Sequence, residues 1–345
     1  MNRYKKKRLP ELITFTAIAS LFLLTACSNP QKNNELKESS KTVYAMDTVM
    51  DISAYGSDAE TVLNTVEKEI MRLDNLLRRK NESSEVYKIN SCKSVYVSSD
   101  TANLIKKALD ISKSTDGAFD ISIAPVMDLW GFYTKEFNVP DESGLKDALS
   151  RVNYNNITVD GNNVSVSENT EIDLGGIAKG FLSDRIIQIY RENGIESGIV
   201  SLGGNVQTLG RKPDGKLWRV AIQNPDNEGA YLGILSVEDM AVITSGGYQR
   251  YFEKDGITYH HIINPDDGFP SNSGLKSVTV VGESGTLADG LSTALFVMGL
   301  QKSIDYWKTC DGIDIVMLTD NDELYITEGL KDIFESSYKY NIITR

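Results

Sequence analysis

The spacing of hydrophobic residues changes along the chain between the periods of strands and helices. Residues 42–55 alternate apolar and polar side chains, which is typical of a half-buried β-strand. In residues 59–79 the apolar positions recur every third or fourth residue, and this spacing predicts an amphipathic helix. Residues 100–114 predict a second helix, which ends at a Thr-Asp-Gly turn. The first third of the chain therefore predicts β-structure followed by two helices.

Strand-like segments dominate the second half. Residues 164–174 alternate apolar and polar positions and precede a helical pattern at 181–190. Further apparent strands end at turn residues, at 195–202, 217–223, 240–244 and 257–263. A β run and two helices complete the pattern, at 276–281, about 284–298 and 301–309. Because the apparent strands follow one another without intervening helices, we predict an α+β fold of mostly antiparallel sheets with packed helices.

The first residues have the layout of a secretory signal. Five basic residues precede an apolar run at 12–24, which is shorter than the roughly 20 residues that a spanning helix needs. Cys27 follows small residues, as in bacterial lipoproteins, in which cleavage leaves a lipid-modified cysteine. We predict a lipoprotein signal peptide at 1–26, a flexible tether at 27–41 and a folded domain at 42–345. Cys27 would anchor this domain to the extracytoplasmic face of the cell membrane.

The chain is acidic, with a formal net charge of −12. Removal of residues 1–26 takes away five basic residues and Glu11, so the net charge becomes −16. This charge argues against nucleic acid as a partner, and an anionic ligand would need local positive charge or a metal. Only Cys92 and Cys310 remain after processing, and two cysteines do not make a metal site.

Residues 173–180 (DLGGIAKG) join the apolar run to the helical pattern that follows it. The glycine pair leaves backbone N–H groups uncovered, the helix start adds the positive end of its dipole, and Lys179 adds a full charge. Together these groups suit phosphate. The segment matches neither the G-x-x-x-x-G-K-S/T pattern nor the G-x-G-x-x-G pattern of known phosphate-binding loops. The alternative interpretation is a plain strand-to-helix turn with a solvated lysine.

A later predicted helix carries a second group of polar residues. Asp289, Ser292 and Thr293 are spaced i, i+3 and i+4, so they share one face. Their oxygen atoms suit a hard cation such as Mg²⁺, which usually binds one or two carboxylates, water and substrate phosphate. The alternative is the solvated side of a helix N-terminus.

The two histidines, His260 and His261, are adjacent on a predicted strand, so one should face inward and the other outward. At most one is placed to take a proton from a hydroxyl nucleophile, and the alternative is a surface histidine beside a buried one. The aromatic residues of the irregular stretch 118–132 could stack on a planar ligand or form a small core cluster. A phosphate turn, an oxygen-ligand face, these aromatic residues and one base suit phosphoryl-type transfer on a nucleotide.

Seven short motifs occur in the order found in the ApbE-type FAD:protein FMN transferases, which the chain resembles from about Val43 to Gly299. They are 117–120 (GAFD), 130–132 (WGF), 173–180 (DLGGIAKG), 202–205 (LGGN), 244–246 (TSG), 261–265 (HIINP) and 288–293 (ADGLST). The resemblance implies that FAD binds as a substrate with Mg²⁺. A threonine hydroxyl of an exported acceptor protein would attack the phosphorus on the FMN side of the pyrophosphate. AMP would leave, and FMN would stay attached through a phosphoester.

The resemblance also assigns roles to particular residues. The residues that would contact FAD are Met46, Lys80, Ala118, Phe119, Asp120, Asp173, Lys179 and Ile263. The metal would be held by the carbonyl of Gly176 and the side chains of Asp289, Ser292 and Thr293. His261 would be the base.

Four positions depart from the family pattern. Asp47 replaces a glycine, and Lys80 stands where a flavin-stacking tyrosine is common but could instead meet a phosphate. Asn264 replaces an aspartate, and Ser292 replaces a second metal-binding aspartate. Because the site loses a carboxylate, we predict weaker Mg²⁺ binding or more water in the metal shell.

Two other functions remain open on the sequence. With water in place of the acceptor hydroxyl, the chain would be an FAD pyrophosphatase that releases free FMN and AMP. A flavin-binding lipoprotein without turnover would also fit the lipid anchor and the aromatic segments, although the face that carries Asp289 argues against it.

Overall fold

The computed structural model describes residues 37–345, so the predicted signal peptide and Cys27 lie outside the described residues. The first strands of this part are β1 (Glu38–Ala45), β2 (Thr48–Tyr55), β3 (Ser94–Tyr96), β4 (Ile157–Asp160), β5 (Asn163–Val166), β6 (Ser197–Leu202), β7 (Asn205–Leu209) and β8 (Trp218–Asn224). The remaining strands are β9 (Asn227–Val237), β10 (Ala241–Gly246), β11 (Tyr251–Lys254), β12 (Ile257–His260), β13 (Leu275–Gly282), β14 (Ile313–Thr319), β15 (Leu324–Thr327), β16 (Phe334–Glu335) and β17 (Tyr340–Ile343). The α-helices are α1 (Ala59–Leu77), α2 (Glu85–Cys92), α3 (Ser99–Ser114), α4 (Ala124–Trp130), α5 (Glu142–Leu149), α6 (Ala178–Glu192) and α7 (Gly285–Thr309).

The central sheet contains nine strands in the order β1-β2-β6-β7-β10-β13-β14-β15-β17. Each neighbouring pair in it is antiparallel except β15 with β17. Smaller antiparallel sheets are formed by β16-β9-β8, by β3-β5-β4 and by the hairpin β11-β12. This topology confirms the predicted α+β fold with mostly antiparallel strands.

Side chains from the two faces of β13 enter two different hydrophobic cores, because neighbouring residues of a strand point in opposite directions. On β13, Val278 and Val280 lie in the core that contains Leu291 of α7. Val281 lies in the core that contains Trp218 of β8. Because both faces of β13 are covered, this strand shows a continuous apolar run in the sequence.

Residues 42–55 form two strands instead of one. β1 and β2 meet at Met46 and Asp47, whose φ angles of 47° and 57° lie in the left-handed region. A two-residue hairpin turn with these angles favours Gly, Asn and Asp, which explains why aspartate can replace glycine at position 47. Because β1 begins at Glu38, residues 38–41 of the predicted tether belong to the sheet.

The prediction of a strand at 164–174 is wrong beyond Val166, where β5 ends. The backbone N–H and carbonyl of Ile172 bond to the side-chain amide of Asn90, at 2.8 and 3.0 Å. A side chain therefore satisfies the backbone groups that a neighbouring strand would otherwise bind. Residues 118–132, which the sequence suggested to be irregular, include the helix α4.

The last long helix, α7, bends at Gly299, where φ is 78° and ψ is 174°. This break explains why the sequence predicts two helices there. Within residues 37–345 none of the helices combines the length and the apolar character that crossing a membrane requires.

Candidate active site

The helices α6 and α7 approach each other closely at glycine positions. A Cβ atom on Gly180 would lie only 2.1 Å from the carbonyl oxygen of Gly285, so the contact requires glycine. One turn further along α6, the carboxylate of Asp184 accepts hydrogen bonds from the backbone N–H groups of Gly285 and Thr286, at 2.7 and 2.9 Å. Asp184 thus caps α7 from the neighbouring helix and fixes where α7 begins.

The carboxylate of Asp289 joins the same two helices and is 5% exposed. Its Oδ2 accepts a hydrogen bond from the backbone N–H of Gly180 at 2.8 Å. Its Oδ1 accepts a hydrogen bond from the side-chain amide of Asn205, also at 2.8 Å. A carboxylate oxygen has about two lone-pair sites, so each oxygen keeps capacity for a cation. The fold therefore orients Asp289 without saturating it.

Three hydroxyl groups meet at the turn of α7 that follows Asp289. Ser292 is fully buried, and its Oγ donates to the backbone carbonyl of Asp289 at 2.9 Å. The Oγ of Ser245 lies 2.8 Å from the Oγ of Ser292 and 3.2 Å from the Oγ1 of Thr293. Because the single proton of Ser292 is engaged with Asp289, Ser245 is the donor in their shared bond. The predicted face of α7 is thus in contact with the end of β10.

The turn before α6 leaves one carbonyl available. The Oδ1 of Asp173 accepts a hydrogen bond from the N–H of Gly175 at 2.7 Å and holds the turn. In a regular helix the N–H of Gly180 would donate to the carbonyl of Gly176, but here it donates to Asp289. Within residues 37–345 the carbonyl of Gly176 accepts no backbone hydrogen bond. It is therefore available as a ligand on the helical turn that contacts Asp289.

The donor atoms of this region are all oxygens. They belong to one carboxylate, of Asp289, to the hydroxyls of Ser292 and Thr293, and to the carbonyl of Gly176. The part of the chain described contains no cluster of three His, Cys, Asp or Glu side chains able to hold a metal. A single carboxylate with neutral oxygens does not suit zinc, but it fits Mg²⁺ that completes its shell with water or substrate oxygens.

The adjacent histidines have different environments. The Nε2 of His260 lies 3.1 Å from the carbonyl oxygen of Ser271, and its Nδ1 accepts a hydrogen bond from the N–H of Ile262 at 3.2 Å. In His261, Nδ1 lies 3.2 Å from the carbonyl oxygen of Arg250, so Nδ1 carries the proton of the neutral ring and Nε2 is the acceptor. The fold therefore uses both nitrogens of His260 but leaves Nε2 of His261 for chemistry.

Burial, followed by the positive charge of Arg250, lowers the pKa of His261 to about 3, and Lys179 acts in the same direction. The imidazole is only partly buried, and the two positive charges lower its pKa in the same direction as burial does. His261 is therefore neutral in the free protein near pH 7, as a general base must be.

A second charged cluster surrounds the end of α1. Arg79 is 4% exposed and donates to both carboxylate oxygens of Asp128, at 2.8 and 2.5 Å, and to Glu171 at 3.0 Å. Its guanidinium carbon lies 5.6 Å from the centre of the Tyr133 ring. The ammonium of Lys80 lies 3.1 Å from Asp128. The cluster ties α1 and α4 to the segment just before the glycine pair.

The other residues predicted to contact FAD lie in several parts of the fold. The N–H of Met46 donates to the carboxylate of Asp74 at 3.0 Å. The ring of Phe119 lies against Gly176, where a Cβ atom would approach it to 3.1 Å. Ile263 is buried in the cluster that contains Trp130.

Asp120 and its neighbour Ala118 differ in exposure. Ala118 is partly buried at the edge of the main core. The carboxylate of Asp120 accepts hydrogen bonds from the N–H and hydroxyl of Ser122 and from the N–H of Tyr154. Burial raises the pKa of Asp120, against the effect of these donors. Three protein donors therefore occupy this side chain, and its contact with FAD stays a prediction.

Sequence reasoning assigned no role to Asn205, Ser245 or Asp184. The first two lie in the motifs at 202–205 and 244–246, so their positions carried a signal. No local pattern in the sequence indicates the role of Asp184, because the N–H groups that it binds are about one hundred residues further along the chain.

The fold and the site are those of an α+β protein with an oxygen-ligand centre beside a glycine-rich helix start. The model of the ApbE family matches residues 46–317, and the chain belongs to this family. This membership confirms the resemblance inferred from the seven motifs.

Relatives in several bacteria match most of the chain. A protein of Vibrio cholerae named FAD:protein FMN transferase is 31% identical over 331 residues, which are 94% of this chain and 97% of the relative. One of the same name from Treponema pallidum is 34% identical over 247 residues, 66% of this chain and 68% of the relative. The crystal structure of the ApbE protein from Thermotoga maritima matches with a TM-score of 0.81 and 32% identity, over 86% of this chain and 99% of that one.

Proposed function

We propose that the protein transfers the FMN moiety of FAD to a threonine hydroxyl of an exported acceptor protein and releases AMP. The coarser part, that the chain is a flavin-transferring enzyme, follows from its family and from the names of its relatives. The specific proposal of FMN transfer to threonine rests on the hydrogen bond from the N–H of Gly180 to the carboxylate of Asp289, at 2.8 Å. It joins the glycine-rich turn, suited to phosphate, to the oxygen face of α7, suited to a cation.

Asp289, with the hydroxyls of Ser292 and Thr293 and the carbonyl of Gly176, would hold Mg²⁺. When bound, this ion would neutralise negative charge on the pyrophosphate of FAD. Because Ser292 supplies a neutral oxygen where a second carboxylate was expected, we propose that the ion is held weakly and keeps more water.

His261 is the proposed base. Its Nδ1–H donates to the carbonyl of Arg250, and this bond orients Nε2 to accept the proton of the threonine hydroxyl. The threonine oxygen forms a bond to the phosphorus on the FMN side, and the bond from that phosphorus to the bridging oxygen breaks. The bridging oxygen leaves with AMP. A pyrophosphate beside Lys179 and Arg250 would offset their charges and raise the pKa of His261 from its low value towards the working pH.

We further propose that the protein works outside the cytoplasm, held by a lipid on Cys27. The support is the sequence at the N-terminus, where basic residues, a short apolar run and small residues precede this cysteine. A Cys27→Ser variant should leave the membrane fraction of cells; its full retention there would contradict the anchor.

The test of the transfer is incubation of the purified protein with FAD, Mg²⁺ and an acceptor domain that carries a threonine motif. Mass spectrometry should detect acceptor with one added FMN, together with free AMP. Asp289→Ala should remove most of this activity, since it deletes the only carboxylate of the proposed metal site. Asp305→Ala is the matched control, because Asp305 lies exposed further along α7.

The outcomes separate the competing functions. Free FMN and AMP without an adduct would indicate the pyrophosphatase. Flavin binding without any product would indicate a binding lipoprotein. Full activity of Asp289→Ala would contradict the metal assignment.

A further inference from the structure

Arg250 lies in the segment between β10 and β11, and its backbone carbonyl accepts two hydrogen bonds from His261. Its carbonyl oxygen lies 3.0 Å from the backbone nitrogen of His261 and 3.2 Å from the Nδ1 of the same residue. The carbonyl accepts from both groups, so the backbone of Arg250 is fixed relative to the histidine. No role follows for Arg250 from the seven motifs.

The side chain of Arg250 differs from the other arginines of residues 37–345. Each of the others forms an ion pair with Asp or Glu, whereas Arg250 forms none with the described residues. The side chain is exposed, and the chain has a net charge of −12, so carboxylates are abundant. An arginine that remains unpaired in such an acidic protein is available for an anionic ligand.

Lys179 supplies a second cation from another part of the chain. It lies on the first turn of α6, which contacts Asp289 through the N–H of Gly180 at 2.8 Å, and the strand before Arg250 contacts the next turn of α7. The charges of both cations also lower the pKa of His261. The two cations come from separate parts of the chain, one at the glycine-rich turn and one before the β11-β12 hairpin. Between them they would create local positive charge at a site of an acidic protein.

We propose that Arg250 is a further substrate-binding residue, which acts with Lys179 to bind the pyrophosphate of the dinucleotide beside His261. This inference rests on the proposed transfer. A guanidinium offers parallel N–H donors that match two phosphate oxygens, whereas an ammonium acts as a point charge. As the bond to the bridging oxygen breaks, negative charge grows on the phosphate of AMP, and Arg250 donates hydrogen bonds to it.

The experiment compares Arg250→Gln, Arg250→Lys and the parent, each as the full chain, in binding to FAD and to riboflavin. Riboflavin is the probe that lacks phosphate. Arg250→Gln should weaken FAD binding by about tenfold or more, the size expected when a charge-assisted contact is lost, and should leave riboflavin binding unchanged. Arg250→Lys should recover part of the FAD affinity, since it keeps the charge but loses the paired donors. Arg219→Gln, on β8, is the control with the same chemical change.

Two results would overturn the proposal. If Arg250→Gln and the parent bind FAD with equal affinity, the proposed contact between Arg250 and the pyrophosphate is contradicted. An equal loss of affinity for FAD and riboflavin would indicate that the substitution disturbs the site generally, and the urea midpoint of unfolding identifies that case. If the parent binds FAD but forms no adduct with the acceptor, the proposed function fails while the comparison of affinities still decides the role of Arg250.

Discussion

Substitution of Gly180 by alanine would place a methyl group where α6 and α7 touch. The new Cβ atom would lie 2.1 Å from the carbonyl oxygen of Gly285 and 2.6 Å from the Cβ of Asp289, whereas real Cβ contacts stay above 3.0 Å. The helices must therefore separate by about one ångström or distort. Overpacking costs about 1–3 kcal/mol, and we expect the upper end because the obstacle is backbone. Alanine has the higher helix propensity, which offsets up to about 1 kcal/mol, so the net loss is about 2 kcal/mol.

Urea unfolding followed by circular dichroism measures this loss. Activity should fall further than the lost stability explains, because separation of the helices also removes the N–H of Gly180 from Asp289. Gly229→Ala is the control, since this glycine of β9 is exposed and its Cβ would meet nothing closer than 3.5 Å. If Gly180→Ala and Gly229→Ala unfold at the same urea concentration, the close contact does not limit the fold as we argue.

Three further predictions concern single side chains. Asp184→Asn should lower the free energy of unfolding by about 1–2 kcal/mol, because the cap of α7 loses its charge; an unchanged urea midpoint would contradict this. Arg79→Met should lower it by about 2 kcal/mol, less than for a fully buried pair, since the carboxylate of Asp128 keeps about a third of its exposure; the same urea titration tests it. The pKa of His261 is lowered in the folded state, so protonation of the unfolded chain removes stability as the pH falls below about 6.5 towards 3. His261→Gln should therefore lose less stability than the parent between pH 6.5 and 4, and equal losses would contradict the shift.

The helices that the sequence predicted well are those whose signal is local. The apolar residues at 59–79 recur with a helical period because one face of α1 is buried, and the buried set is Ala59, Val62, Leu63, Val66, Ile70, Leu73 and Leu77. The oxygen face of α7 was visible for the same reason, since three and four residues make one helical turn. In both cases the residues that belong together are close in the sequence.

Residues 164–174 alternate apolar and polar side chains as a strand does, but no neighbouring strand pairs with them beyond Val166. Alternation describes which side chains are buried, and it does not tell whether a neighbouring strand or a side chain satisfies the backbone. Here the amide of Asn90 satisfies it, from a position 82 residues away. The short helix α4 was missed because an irregular aromatic segment and one short helix show similar patterns.

The sequence by itself determined the fold class, the family and the identity of most candidate site residues. These properties depend on periodicity and on short motifs, which any segment carries within itself. The tertiary structure decided which of those residues meet. The hydrogen bond from Gly180 to Asp289 spans 109 residues, and the one from Asn205 to Asp289 spans 84. Such contacts arise only when packed helices and paired strands bring distant backbone groups together, and no local pattern encodes them.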